Sequence, residues 1–456
     1  MYAGRKEIAD GPFKCMARPE TAAIRPWKPD ARPTRRCYFG RAMTAPSPAP
    51  VGALDADPRR WRLLVLLSFA ELFGMSLWLA AAAVGPQLAA RWQLSASQTG
   101  WLVTIVQFGF VIGTALAAVL NLADVIPSKR LFAASALVGA AANAALVHAP
   151  TYETALVLRM CTGFALAGVY PPAMKMISTW FRSQRGLGIG TIVGALTIGK
   201  ASPYLVHAFP GAGVATVLYT VSGFAVLGAL IVTLGYADGP YAFPSRPFSW
   251  ALVGTVFRER EWQLSTGGYL GHMFELYSMW TWIPVFIAAS AAAGGMATGA
   301  RTTEIASLVS FLAIAAGGVG CVWGGLAADR RGREWLVTVA MVASGACAAL
   351  IGLTFGHVFW MAAVVAVAWG FFVVADSAQF SALVTESVPL HAVGTALTLQ
   401  TSLGFLLTMV SIQLVPPAVA AVGWRWAFAV LAVGPVFGIA AIRRLAAVHG
   451  RAVARG

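Results

Sequence analysis

Charge is scarce in this chain: Asp, Glu, Lys and Arg make up 11% of its 456 residues, whereas hydrophobic types make up 58%. A water-soluble fold with that balance would need a core larger than its remaining polar surface could cover, so a soluble globular domain is excluded. Acids are scarcer than bases, 18 against 33, for a formal net charge of +15. Cysteine is also sparse, and Cys15, Cys37, Cys161, Cys321 and Cys347 show no metal-ligand spacing. They read as small packing residues or free thiols, with no metal site implied. No Ser/His/Asp constellation, His-Glu-x-x-His run or phosphate-cradling loop occurs, so the sequence carries no signature of an enzyme and implies no cofactor. The apolar runs lack the two-residue alternation of outer-membrane strands, and several exceed the strand length of about 10 residues, which argues against a β-barrel. Residues 1–60 contain no apolar core of the kind that marks a cleavable signal peptide.

What the chain has is twelve apolar stretches, each close to the roughly 20 residues a spanning helix needs. They lie near 62–84, 98–120, 131–149, 154–177, 186–208, 213–235, 263–288, 304–327, 335–355, 358–381, 394–417 and 425–442. Trp61, Trp92, Trp101, Trp180, Trp262, Trp335, Trp360 and Trp424 sit close to stretch ends, where an amphipathic ring suits the headgroup layer of a lipid bilayer. The basic residues are unevenly placed. Thirteen precede or include Arg62, and 14 more fall in alternate connections, among them Lys129, Arg182, Arg258 and Arg330; only Arg91, Arg301 and Arg425 lie on the opposite side. That asymmetry explains the positive charge by membrane topology, places both termini in the cytoplasm and leaves no role for nucleic acid.

Residues 1–60 mix Arg, Pro and Ala without apolar periodicity and read as a flexible basic cytoplasmic tail, with Met43 as an alternative translation start. Residues 61–236 hold six spans, 237–262 form a Pro-containing cytoplasmic linker with a short interfacial helix, and 263–445 hold six more before a tail at 446–456. Short connections make sequential helices neighbours, which predicts two six-helix bundles. Asp124 after the second span and Asp329 after the eighth hold matching places, the mark of an internal repeat.

The segment from Gly325 through Asp329, Arg330 and Gly332 to Arg333 reads Gly-x-x-x-Asp-Arg-x-Gly-Arg. This resembles the cytoplasmic loop of the major facilitator superfamily of secondary transporters. Asp124 marks a first-half copy that lacks the glycines and the following arginine. Arg159-Met-Cys-Thr-Gly163 is similar to the family's Arg-x-x-x-Gly on the fourth helix, and Gly190 to Gly199 partly matches its fifth-helix glycine motif, without the proline. Within the superfamily, residues 167–199, 268–286 and 369–386 look similar to the nitrate/nitrite and cyanate porter branch, although the glycine-rich nitrate signature is absent. The resemblance implies an all-α, polytopic fold of 12 transmembrane helices in two pseudo-symmetric six-helix bundles. It further implies a monomer in a bacterial-type inner membrane, with helices one, four, seven and ten around a central cavity. The Asp of the loop motif would attract a neighbouring helix N-terminus, while its Arg residues pair with acids, locking one closed state.

Ionisable residues inside the spans are expensive and mark function by default. Glu71 lies about 14 Å into the first span, where a carboxyl group must be neutral or paired, and it reads as a proton site or a structural pair. Arg159, permanently charged, reads as an anion anchor or as helix-packing glue. Lys200, on the fifth span, would bind an anion or pair with Glu71. His272 and Glu275 share one face of the seventh span, which suits a proton-sensitive pair. Asp376 and Gln379 stand three apart on the tenth span, as a substrate-facing patch or as a partly solvated helix cap. Pro171, Pro172 and Pro203 should distort helices four and five. Together these residues predict a secondary active transporter, coupled to protons, moving a small anion or organic acid by alternating access. Efflux of amphipathic compounds is the alternative.

Overall fold

The computed structural model describes residues 57–182, 184–241, 248–297 and 299–453, without the side chains of 123, 124, 185 and 450–453. The basic tail up to residue 56, including Met43, therefore lies outside the described residues, as do linker positions 242–247 and the side chain of Asp124. Among the described residues every regular element is helical, with no strand.

Among the described residues, eleven helices are long and apolar enough to cross a membrane: Ala96–Val119, Ser128–His148, Tyr152–Ser178, Gly186–His207, Val214–Gly235, Arg260–Ala293, Ala300–Arg331, Arg333–Thr354, Phe359–Glu386, Leu390–Val422 and Trp424–His449. They are numbered here as spans two to twelve. Span one precedes them and is divided: Arg59–Met75 ends at Ser76, and Ala80–Ala83 and Gly85–Trp92 continue the path after a short non-helical stretch. This is a 12-helix fold. Ahead of span one, Asp57 accepts hydrogen bonds of 2.7 to 3.2 Å from the Arg59 side chain, which holds its carboxyl below the ordinary range.

Spans four and ten are also interrupted. Tyr152–Leu166 gives way to Tyr170–Ser178 just before Pro171 and Pro172, which take the first positions of the new segment, where a proline forfeits no helical bond. In span ten, Asp376 separates Phe359–Ala375 from Ser377–Glu386. Pro203 behaves differently: it sits inside the continuous helix Arg185–His207, so the expected distortion of helix five does not become a break. Ser202 Oγ, one residue earlier, donates to the Gly199 carbonyl at 2.7 Å, taking up one acceptor near the site where proline removes a donor.

Small residues set the closest approaches. Spans five and eight pack along each other through Gly194 and Gly318, where a Cβ on either would come within 2.9 Å of the other's carbonyl oxygen. Spans two and four meet at Gly163, whose missing side chain leaves room for the Val106 backbone. Span two also packs on span eleven, and span one lies between spans five and six. Apolar side chains are exposed on spans three, six, nine and twelve, for example Val138, Leu234, Val342 and Val436, and on the outer part of span ten at Trp360 and Val364. Glu71, Arg159, Lys200, His272, Glu275 and Asp376 are all buried.

Candidate functional site

Arg159 explains the broken first span. At the interruption the carbonyls of Leu77 and Trp78 accept from the Arg159 guanidinium at 3.1 and 2.5 Å. Its remaining donors reach Asn143 Oδ1 at 3.1 Å and the Leu102 carbonyl at 3.3 Å. Asn143 in turn donates to Ser222 and the Leu218 carbonyl of span six. One cation thus satisfies acceptors on spans one, two and three, and the guanidinium has no exposed edge. Non-helical backbone at membrane depth needs such partners. The Arg159 guanidinium is thus occupied within the fold, and no hydrogen bond joins it to Glu71 or Lys200.

Lys200 is held differently. Its Nζ donates to the Tyr277 hydroxyl at 2.6 Å and stands 4.0 Å from the Trp78 ring, 4.8 Å from Tyr277 and 5.2 Å from Trp280. Phe110 and Phe405 extend the aromatic cluster, with ring centroids 5.1 and 5.6 Å from Trp78. Trp78 and Lys200 belong to the first six spans and Tyr277, Trp280 and Phe405 to the last six, so the cluster is formed between them. No ion pair within 4.0 Å joins Glu71 to Lys200, and both carboxylate oxygens of Glu71 lack a hydrogen-bond partner. Spans five and six press on the backbone beside it, where Gly199 meets the Leu72 carbonyl and Gly228 the Ala70 carbonyl. The indole Nε1 atoms of Trp78 and Trp280 are also without partners. A buried cation, a bare carboxyl group and two idle donors therefore lie inside the spans, where each unmet polar group is costly.

In the last six spans Glu275 is hydrogen-bonded and Asp376 has a close polar neighbour, although its Oδ1 has no hydrogen-bond partner. His272 Nδ1 lies 2.9 Å from Asp376 Oδ1, and Nε2 lies 3.0 Å from Ser377 Oγ. A hydroxyl can donate or accept, so that contact suits either tautomer of the imidazole. Glu275, three residues from His272, turns away to accept from Ser344 Oγ at 2.8 Å and Trp369 Nε1 at 2.6 Å, tying spans seven, nine and ten. Gln379 does not meet Asp376 through its side chain; its Oε1 accepts from Arg333 Nη1 at 3.2 Å, and Arg333 also pairs with Glu386 at 2.8 Å. Asp329 approaches the start of span five, with both carboxylate oxygens 3.9 Å from where a Cβ on Gly186 would lie. Gly325 lines the same crevice, and Arg331 stacks over Trp335 at 4.7 Å. Arg330 follows Asp329 in the last turn of span eight, and Gly332 ends that helix at a φ of 91°.

Several contributors carry no sequence signal. Away from the Lys200 cluster, Gln413 of span eleven bonds Ser97 and Thr104 of span two at 2.7 and 3.1 Å. His207 of span five lies 2.8 Å from Ser307 of span eight and 3.1 Å from Gln87. These contacts join the first and last six spans. Among the described residues no group of three His, Cys, Asp or Glu side chains forms a metal site.

Twelve apolar helices, three of them interrupted, define a multi-pass membrane protein with a polar and aromatic centre between its two sets of spans. The chain belongs to the Major Facilitator Superfamily, whose family model matches residues 64–300. It is 35% identical over 117 residues to the niacin transporter NiaP of Acinetobacter baylyi, covering 23% of this chain and 26% of that protein. It is 26% identical over 243 residues to monocarboxylate transporter 11 of Homo sapiens, covering 51% of this chain and 50% of that one. The chain thus spans from about a quarter to half the length of these relatives. Crystal structures of the nucleoside transporter NupG superimpose with TM-scores of 0.64 and 0.62 over 84% of this chain, covering 99% and 98% of NupG at 14% and 15% identity. At that identity the likeness concerns the fold.

Proposed function

We propose that the protein is a secondary active transporter that carries a small organic anion together with protons, as a monomer in a bacterial-type inner membrane with both termini cytoplasmic. The observation that carries the reading is a buried Lys200 caged by aromatic rings together with a buried Glu71 whose carboxylate oxygens have no hydrogen-bond partner. The ammonium supplies the charge an anion needs, and its present partner is a neutral hydroxyl that an anionic oxygen would displace. Glu71, with no hydrogen bond of its own, is suited to taking up and releasing a proton next to that cation, and the His272–Asp376 pair is a second proton site. Glu275 supports the second site from outside. The two six-span bundles, 61–236 and 263–445, rock about this centre, with the 237–262 linker joining them. The loop containing Asp329, Arg330 and Arg333 locks the cytoplasmic side, and Asp124 holds the equivalent place in the first half.

The resemblance to the nitrate/nitrite and cyanate branch suggests an anion, and the names of the two curated relatives favour an organic acid over an inorganic one. Export of amphipathic cations is the competing reading, because a bare carboxyl group beside aromatic rings would also receive a cation. Reconstituted protein challenged with acetate, lactate, benzoate and nicotinate under an inward proton gradient decides between them. Accumulation of an anion that follows the gradient and is abolished by a protonophore is expected. Uptake indifferent to the gradient, and unchanged in Glu71→Gln and Asp376→Asn, would overturn proton coupling. Movement of lipophilic cations alone would replace uptake with export.

A further inference from the structure

The ring arrangement around Lys200 narrows the class of anion. Trp78, Tyr277, Trp280, Phe405 and Phe110 form one continuous aromatic surface, with neighbouring centroids 4.7 to 5.7 Å apart. An inorganic or short aliphatic anion needs a cation and hydrogen-bond donors; it gains nothing from five rings. A planar aromatic acid uses both parts of the centre. We propose that the cluster is a binding subsite for a small aromatic monocarboxylate, with the carboxylate on Lys200 and the ring among the aromatic side chains. The inference rests on the transport reading above and specifies its substrate.

The chemistry is complete without further groups. The carboxylate takes the place of the Tyr277 oxygen on Lys200 Nζ and accepts from the Tyr277 hydroxyl, and the idle indole N–H groups of Trp78 and Trp280 become its additional donors. Ring faces offer stacked and edge-on contacts to a flat substrate that they cannot offer equally to a puckered one. The centroid spacings leave no slot for a ring in the present conformation, since a stacked guest needs about 3.5 Å on each side. The ring therefore enters when the first and last six spans part, because Trp78 and Phe110 come from one set and Tyr277, Trp280 and Phe405 from the other.

The test compares benzoate with cyclohexanecarboxylate, equal in charge and close in size but different in ring character, as inhibitors and as labelled substrates of the reconstituted protein. Benzoate should be preferred by about 10-fold, the scale of aromatic contacts beyond simple burial. Trp280→Leu should erase that preference while Trp280→Phe keeps it, and Lys200→Gln should remove binding of both acids. Benzamide, which has the ring without the charge, should not compete. Equal affinity for the two acids, or a preference that survives Trp280→Leu, would overturn the inference. Gradient-driven uptake of acetate or lactate with no response to benzoate would overturn it and leave the transport reading standing. Failure to move any carboxylate would sink both.

Discussion

Arg159 and Lys200 are both cations buried within the first six spans, and they answer opposite needs. Arg159 spends its donors on three backbone carbonyls and an amide oxygen, all fixed in the fold. Lys200 holds one neutral hydroxyl and several ring faces, and no backbone carbonyl. The guanidinium's planar, multiply donating head suits the first task and the compact ammonium the second. A buried charge inside a membrane is therefore informative only once its partners are known.

The largest effect should follow from removing Arg159. Arg159→Met strands the carbonyls of Leu77, Trp78 and Leu102 together with Asn143, and each stranded group costs about 1–3 kcal/mol. Loss of monodisperse protein in detergent, or a steep fall in melting temperature, is expected, with Arg159→Lys recovering only part. If Arg159→Met melts like the parent and loses only uptake, the contrast between the two cations is wrong.

Lys200→Gln should leave the fold in place, with about 1 kcal/mol of stability lost along with the bond to Tyr277. Its effect belongs in transport, where loss of a desolvated charged hydrogen bond corresponds to roughly 10-fold to 100-fold in anion affinity. Melting curves and uptake kinetics measured on the same preparation separate the two. A large drop in melting temperature would assign Lys200 to the frame alongside Arg159.

The spans were legible because about 20 consecutive apolar residues have one physical outcome in a bilayer. The interruption at Ser76 to Leu79 was not, since Ser-Leu-Trp-Leu contains no helix breaker; its cause is a guanidinium on a distant helix. The prolines misled in one direction, because Pro171 and Pro172 coincide with a break while Pro203 is absorbed by a continuous helix. Spacing correctly placed His272 and Glu275 on one helix, but a helical period says nothing about which neighbouring helix each side chain faces. One turned to Asp376 and Ser377, the other to Ser344 and Trp369. The Lys200 cage draws on spans one, five and seven, and no local pattern in the sequence reveals it.

A second contrast lies within the acids. Glu275 accepts two hydrogen bonds, Asp376 Oδ1 lies 2.9 Å from His272 Nδ1 without a hydrogen-bond partner, and Glu71 has neither a bond nor so close a neighbour. Asp376→Asn keeps the shape of the His272 contact and removes its charge, so substrate exchange without a gradient should persist while gradient-driven accumulation is lost. Glu71→Gln should give the same loss with a smaller stability change, since no hydrogen bond is broken. Counterflow and pH-jump uptake on the same vesicles distinguish the two. Retained accumulation in either variant would remove that acid from the proton path.

The smallest effect should come from Glu386→Gln at the cytoplasmic end. Its ion pair with Arg333 is well formed at 2.8 Å, but the partners are 35% and 53% exposed, so water and salt compete for both charges. Such pairs contribute about 0.2–1 kcal/mol, a shift close to the resolution of a melting curve. The loop should nevertheless respond through rate, because Arg333 also holds Gln379, three residues from the Asp376 interruption of span ten. Freed from Glu386, Arg333 keeps that weaker contact, and the observed arrangement loses one of its ties. Uptake in Glu386→Gln should therefore change modestly in maximal velocity with affinity and melting temperature nearly unchanged. A change in affinity as large as that of Lys200→Gln would mean that the loop acts on the binding centre itself, and the division between frame, site and gate would have to be redrawn.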